Sequence, residues 1–190
     1  MATQDSRIKI KRSTVTATVP TVPSSNDHTD GTWIATDIYK GELFFNQADG
    51  VLWSRDDSGV VCLGGSASLT IASADVLTLN TTPLTIVGAV AGYAIEVVSA
   101  SVKIDFNTTA YATSTDINVV CSGATQSQLK DDVLASTVST LRKLLPVTGL
   151  SATDTQIIQN SALLVSVGSG DPTAGNSDIT VFVNYRLIPA

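Results

Sequence analysis

The stretch "DITVFVNYRLI", residues 178–188, decides the fold class of this chain. Its apolar residues occupy every second position: Ile179, Val181, Val183, Tyr185 and Leu187. A period of two is typical of a β-strand, because successive side chains point to opposite faces of a sheet. The stretch is also rich in β-branched and aromatic residues, which strands favour. We therefore predict a long strand with one face in a core.

A related strand pattern continues upstream, where short apolar runs alternate with the turn-forming residues Gly, Asn, Asp and Ser. About eight candidate strands follow residue 69: "DVLTLN", "TPLTIV", "YAIEVVSASVKIDFN", "TDINVVC", "STVSTLRKLLPV", "TQIIQ", "ALLVSVG" and "SDITVFVNYRLI". Their spacing fits an antiparallel β-sandwich. The apolar phase shifts around Ser99-Ala100, which predicts a bulge or bend within one long strand. The only helix candidate is "QSQLKDDVLAS", residues 126–136, and a loop fits it as well.

The front of the chain has its own strand pattern in "GELFFNQADGVLWSRDDSGVVCLGG", residues 41–65. Asp49-Gly50 and the turn ending at Gly59 separate three short apolar runs, which predicts a three-stranded β-meander. Four aromatic residues gather in this region: Trp33, Phe44, Phe45 and Trp53. They form either a small core that holds the meander or a face that packs on a neighbour.

The segment "GGSAS", residues 64–68, is typical of a flexible joint. We therefore predict two domains: residues 1–65, an arm and meander that attach the protein, and residues 66–190, a sandwich. The predicted class is all-β, with a small meander preceded by an extended arm. Pro20 and Pro23 lie in the Ser/Thr-rich arm, where they disfavour a central strand.

The net charge of −6 and a pI near 4.5 argue against nucleic acid as the main ligand. Cations gather only at the tip "RIKIKR", whose alternating pattern suits pairing with an open sheet edge on a partner. A solvated end is the alternative. The candidate attachment residues are consecutive: Arg7, Ile8, Lys9, Ile10, Lys11 and Arg12.

Membrane insertion and export are not expected. The chain has no run of about 18 to 20 apolar residues, as a membrane-spanning helix needs. The first residues lack the apolar segment of a secretory signal. Cys62 and Cys121 lie in apolar strand-like runs and build neither a disulfide framework nor a zinc pattern.

Catalytic chemistry is also not expected. The one histidine, His28, lies in the polar loop "SSNDHTDG", which is a poor scaffold for a Ser-His-Asp triad. The same loop resembles the start of a calcium loop, but its twelfth position is Asp37 instead of Glu. The carboxylate pairs Asp56-Asp57 and Asp131-Asp132 are adjacent residues, which point apart in a strand. We predict no enzyme activity, no cofactor and no metal.

Four motifs in a fixed order carry a family resemblance: Arg12-Ser13-Thr14, Gly41-Glu42-Leu43, Asp49-Gly50 and Leu52-Trp53. With them, the first third of the chain resembles the N-terminal module of many bacteriophage fibre proteins. The connection "SSNDHTDGTWIATDIYK", residues 24–40, is longer than in that family. Residues 91–113 and 169–188 resemble the C-terminal β domains of phage structural proteins.

The resemblance implies a virion component assembled in the host cytoplasm, with a jelly-roll-like, trimeric C-terminal domain. The implied partners are other copies of the chain and capsid or tail proteins. Since no long shaft separates arm and sandwich, we expect a short head fibre or a capsid decoration protein. The alternative is a tail-fibre or baseplate protein that adheres to a host glycan in a lectin-like manner. Tyr93 and Tyr111 are the best aromatic candidates for stacking on sugar.

Overall fold

The chain divides into two compact units, Met1–Gly65 and Ser66–Ala190. A computed structural model describes residues 10–25, 29–121, 129–146, 158–168 and 170–189. In the described part no helix is long and apolar enough to cross a membrane. The two units are described separately below.

The first unit is the predicted meander with one strand added. Strands β2 (Leu43–Asn46) and β3 (Val51–Arg55) form an antiparallel hairpin, and β3 pairs antiparallel with the start of β4 (Val60–Ile71). A short strand β1 (Lys11–Ser13) lies parallel to β2. Turns at the predicted positions join β2 to β3 and β3 to β4, so the meander is confirmed.

The segment after β1 is packed against the rest of the first unit. Thr21 forms a parallel bridge with Asp37. The buried Asn46 side chain, through Nδ2, donates hydrogen bonds of 3.1 Å to the carbonyl oxygens of both Val15 and Thr18. A buried carboxamide needs such partners, since an unpaired one costs about 1–3 kcal/mol. The segment therefore folds back over the meander.

The second unit takes up the rest of β4 and seven further strands. These are β5 (Leu84–Val87), β6 (Tyr93–Asp105), β7 (Ile117–Cys121), β8 (Leu129–Asp131), β9 (Thr140–Pro146), β10 (Leu163–Val167) and β11 (Asp178–Pro189). One helical turn, α1 (Ser73–Val76), follows β4, and a 3₁₀ turn (Val133–Ala135) follows β8.

The strands of this unit pair as nested hairpins. The first pairs with the last (β4 with β11), the second with the seventh (β5 with β10), the third with the sixth (β6 with β9) and the fourth with the fifth (β7 with β8). The resulting sheets have the orders β4-β11-β6-β9 and β8-β7-β10-β5. Strand β9 joins them, because residues 140–144 pair with β6 and residues 145–146 with β8. Such a rolled nested hairpin is a jelly roll, so the predicted all-β sandwich is confirmed.

The core follows the alternation read from the sequence. The predicted inward residues of β11 are all buried: Ile179, Val181, Val183, Tyr185 and Leu187. Strands β7 and β10 contribute the other wall, with Val119 and Val165 fully buried. The predicted bulge is also present, because the register between β6 and β11 shifts beside Tyr185 and leaves Val98 unpaired.

Two local predictions fail, and the residues of a third form a strand. "DVLTLN" is not a strand, because Val76 and Leu79, three residues apart and both fully buried, lie on one side of a helical turn. Residues 64–68, "GGSAS", are part of strand β4, and the two compact units divide between Gly65 and Ser66. In the helix candidate, residues 129–131 form β8 and residues 133–135 the 3₁₀ turn. Residues 126–128, and 155–157 of "TQIIQ", lie outside the described residues.

Candidate functional site

The structure describes half of the predicted attachment segment. Arg7, Ile8 and Lys9 lie outside the described residues. Lys11 and Arg12 belong to β1, with Arg12 exposed and Lys11 half-buried, while Ile10 just before the strand is 45% exposed. Within the described chain β1 is the edge of its sheet and pairs only with β2. No described strand pairs with its other side, and an unpaired strand edge is where a further strand is able to add.

Lys11 has an internal role that the alternating pattern did not reveal. Its Nζ donates a 2.5 Å hydrogen bond to the Asp37 carbonyl oxygen and lies 3.5 Å from a Glu42 carboxylate oxygen. The same atom lies 5.7 Å from the ring centroid of Trp33 and 5.9 Å from that of Tyr39. The two rings are 4.5 Å apart at 34°. Lys11 therefore fixes β1 to the aromatic pair through cation–π attraction and ion pairing.

Asp37 organises the loop packed on this sheet. The residue is only 3% exposed, and its carboxylate accepts hydrogen bonds from Thr21 Oγ1 at 2.6 Å and from the Ile34 amide at 2.9 Å. The Thr21 hydroxyl lowers the pKa of Asp37, because these bonds favour the ionised form. Arg55 donates to the neighbouring Ile38 carbonyl at 2.9 Å. Lys11 on β1 and Arg55 on β3 therefore both hold this loop through its backbone carbonyl oxygens.

The turn Asp49-Gly50 ties the segment after β1 to the hairpin. Asp49 Oδ2 accepts hydrogen bonds of 2.6 Å from the Ala17 amide and from Asn46 Nδ2. Ala17 has a φ of 56°, a left-handed conformation that costs a non-glycine residue free energy. The hydrogen bond from the Ala17 amide to the Asp49 carboxylate offsets this cost. The Asp-Gly turn is therefore both a hairpin turn and an anchor.

The four aromatic residues were predicted to form either a small core or a face for a neighbour, and each interpretation describes some of them. Phe44 and Trp53 face each other across β2 and β3, and each is 1% exposed, so they form a small core. Phe45 points to the other face and is 37% exposed. Trp33 lies half-buried on Lys11. One aromatic residue of the four is thus available to a neighbour.

At one end of the jelly roll, the loop between β6 and β7 is bound to the loop between β10 and β11. Asn176 Oδ1 accepts hydrogen bonds from the amides of Thr108 at 3.2 Å and Thr109 at 3.0 Å. Ala112 and Thr173 exchange two backbone hydrogen bonds of 2.7 Å. The loops are therefore held in one arrangement, with exposed threonine side chains at the surface.

Tyr111 lies beneath these loops and is not a stacking platform for sugar, contrary to the prediction. It is 3% exposed, and its hydroxyl donates a 2.6 Å hydrogen bond to the Ser177 carbonyl. Desolvation raises the pKa of this phenol to about 12. Tyr93, the second candidate, is half-buried at the start of β6. The prediction for Tyr111 was wrong because the sequence places it in a loop and does not show that a second loop covers it.

The metal and catalytic interpretations depend on the His, Cys, Asp and Glu side chains. The described residues contain no cluster of three or more His, Cys, Asp or Glu side chains that would hold a metal ion. His28, on which the triad and calcium-loop interpretations depend, lies outside them. Burial raises the pKa of the Cys121 thiol, which disfavours the nucleophilic thiolate. Cys62 is half-buried in β4.

A solved structure is similar to this chain, whereas no sequence match was found. No protein-family model and no curated protein matches the chain. A chain of the solved structure titled "Cyanophage Pam1 capsid asymmetric unit" is similar with a TM-score of 0.40 at 18% identity. The match covers 66% of this chain and 86% of that one. The strand order identifies the jelly roll independently of this likeness.

Proposed function

We propose that this chain is a structural protein of a bacteriophage particle, a short head fibre or capsid decoration protein. The first unit attaches it through the β1 edge, and copies of the jelly roll associate and are displayed outward. A jelly roll alone does not select this function, because one fold hosts many activities. The support comes from the first unit.

The observation that carries the proposal is that the motifs of the resemblance meet in one small sheet. Arg12 on β1 and Leu52 on β3 both pair with Phe45 of β2, the strand that begins at Leu43 of the second motif. The Asp49-Gly50 turn holds the chain that follows β1. Motifs scattered along the sequence are thus parts of one structural module, which is expected if the module is inherited as a unit.

The β1 edge supplies the attachment chemistry. A partner strand added there would gain backbone hydrogen bonds, with affinity from the main chain and specificity from alternate side chains. The exposed side chains at this edge are apolar Ile10 and cationic Arg12. We therefore expect an extended partner segment with apolar and acidic residues. Lys11 is excluded from this contact, because its amine is used inside the unit.

The test uses particles of the phage that encodes the chain, purified by density gradient. The chain should copurify with the major capsid protein at a fixed ratio measured by quantitative mass spectrometry. The double variant Ile10→Asp/Arg12→Glu should fall at least tenfold in the particles. A matched control is Lys40→Glu, an exposed charge reversal in the same unit, which should stay at the wild-type level.

Two results would contradict the proposal. One is the absence of the chain from purified particles. The other is wild-type incorporation of the double variant, which would remove the β1 edge as the attachment site.

The loop end of the jelly roll favours a second function, receptor binding on a tail fibre or baseplate. Its loops are joined by hydrogen bonds of Asn176 and by the pairing of Ala112 with Thr173, and loops that a scaffold positions often carry binding residues. Immunogold labelling separates the candidates. Label over the capsid supports decoration, and label at the tail tip together with binding on a glycan array supports receptor recognition.

A further inference from the structure

The sheet of the first unit carries apolar side chains on both of its faces. One face is the small core, where Phe44 and Trp53 are each 1% exposed and Val51 is 2% exposed. Successive residues of a strand point to opposite faces, and directly paired residues point to the same face. The alternate residues of these strands therefore form a second face, which we call the outer face. Its residues are Arg12, Leu43, Phe45, Leu52, Ser54 and Val61.

Paired residues form two rows across the outer face. One row leads from Arg12 on β1 through Phe45 on β2 to Leu52 on β3, and the other joins β2, β3 and β4. Phe45 is 37% exposed, and the other three apolar residues are half-buried. An antiparallel sheet that turns one face to solvent is usually polar on that face. Four of the six outer-face residues are apolar, which is typical of a sheet face that packs on something else.

The outer face continues to the free edge of β1 through Arg12. The Gln47 amide donates a 2.8 Å hydrogen bond to the Ser13 carbonyl oxygen, so the Ser13 carbonyl faces β2. The backbone groups of successive residues point to opposite edges of a strand, so those of Arg12 face the edge with which no described strand pairs. The Arg12 side chain is exposed on the outer face. A strand added beside β1 would therefore continue the row of Arg12 and Phe45.

The charge of the outer face indicates what kind of surface fits it. Of its six residues only Arg12 is charged, so an apolar surface with a carboxylate at one border is complementary to it. Arginine and aromatic residues are enriched in the cores of protein interfaces, where a few buried side chains supply most of the binding free energy. The outer face of a second copy fits less well, because it offers Arg12 no carboxylate.

We propose that the virion protein whose strand adds to β1 also packs an apolar surface on the outer face. Phe45 is then buried between the two proteins, and a carboxylate of the partner binds Arg12. Phe45 is the main anchor of this contact, because it is the most exposed apolar residue of the outer face. The inference rests on the proposed function, since it gives the same partner a second contact beyond the strand edge.

The test places the photoreactive residue p-benzoyl-phenylalanine at position 45 of the full-length chain in purified phage particles. Irradiation should link position 45 to another virion protein, which mass spectrometry identifies. Position 34 is the matched control, since Ile34 is 60% exposed in the same unit but does not belong to the outer face. The same residue at position 34 should give no such link.

A second measurement uses variants without a photoreactive group. Phe45→Thr keeps strand propensity while it removes the ring, and it should lower the amount of the chain in the particles about tenfold or more. Ile34→Thr should stay at the wild-type level. Tryptophan fluorescence in urea checks that both variants are folded, and if Phe45→Thr is not, the cross-link alone decides.

Three results would overturn the inference. They are wild-type incorporation of a folded Phe45→Thr, a link from position 45 no stronger than that from position 34, and a link from position 45 only to another copy of the chain. Each is compatible with loss of Ile10→Asp/Arg12→Glu from the particles, in which case the β1 edge alone attaches the chain. Wild-type incorporation of that double variant refutes the edge contact instead, and the inference with it.

Discussion

Replacing Gly175 with alanine tests how tightly the two loops of the jelly roll are fitted. Gly175 has a φ of 85°, and a Cβ there would lie 2.2 Å from Cδ1 and 2.4 Å from Cγ of Tyr111. The ring cannot easily move away, because it is 3% exposed and its hydroxyl is bonded to Ser177. Either the loop or the ring must shift.

The expected loss of stability has two parts. A left-handed backbone costs an alanine about 1–2 kcal/mol relative to the right-handed form. Overpacking a buried site costs about 1–3 kcal/mol. The sum, about 2–5 kcal/mol, is a large fraction of the roughly 5–15 kcal/mol that stabilises a typical domain. Gly175→Ala should therefore bring the jelly roll close to unfolding.

The assay is urea denaturation followed by far-UV circular dichroism. Gly170→Ala is the matched control in the same loop, since the nearest atom to its Cβ would be Ser114 Oγ at 3.6 Å. This control should stay within about 0.5 kcal/mol of wild type. Equal stability of Gly175→Ala and Gly170→Ala would refute the fit between loop and ring.

Four further predictions follow from single side chains. Asp37→Asn should destabilise the first unit at neutral pH, as measured by tryptophan fluorescence in urea. Because the folded pKa of Asp37 is lowered, its contribution is present above the ordinary value of about 3.9 and is lost as pH falls through the folded pKa, so wild type and variant should converge in acid. Tyr111→Phe should cost about 1–2 kcal/mol at neutral pH. Because the folded pKa of Tyr111 is raised to about 12, the stability that wild type has over Tyr111→Phe is fully present below pH of about 10. It should be lost as pH rises through about 12. Lys11→Ala should shift the tryptophan emission to the red by uncovering Trp33, whereas Arg12→Ala should not. Cys121 should stay unreactive toward a thiol reagent at pH near 8 until urea unfolds the jelly roll.

Much of the fold was predictable because its signals are local. The alternation of residues 178–188 shows which side of β11 is buried, and the Asp49-Gly50 turn determines where β2 and β3 meet. The strand prediction for residues 75–80 was wrong for a physical reason. Val76 and Leu79 fit a strand pattern as well as a helical one, and only the surrounding core selects the helical turn.

The candidate site was less predictable, because it depends on pairing between distant segments. Nothing in "RIKIKR" distinguishes Lys11 from Arg12. Parallel pairing with β2 turns one lysine toward Trp33 and the next cation to solvent. Tyr111 likewise became a core residue only through its contact with a loop about 65 positions later. Register and loop contact are properties of the folded chain, and composition does not encode them.

The nested order of the jelly roll also governs when it is able to fold. Its first strand, β4, pairs with its last, β11, and β11 also pairs with β6. During synthesis the ribosome must therefore release residues up to Pro189 before either central pairing exists. Until then β6 and the part of β4 after Gly65 each have an unpaired edge, and unpaired strand edges make a folding intermediate prone to aggregate. Pairings of such long sequence separation also slow folding. A nascent chain stalled before Asp178 should remain sensitive to protease throughout its second unit.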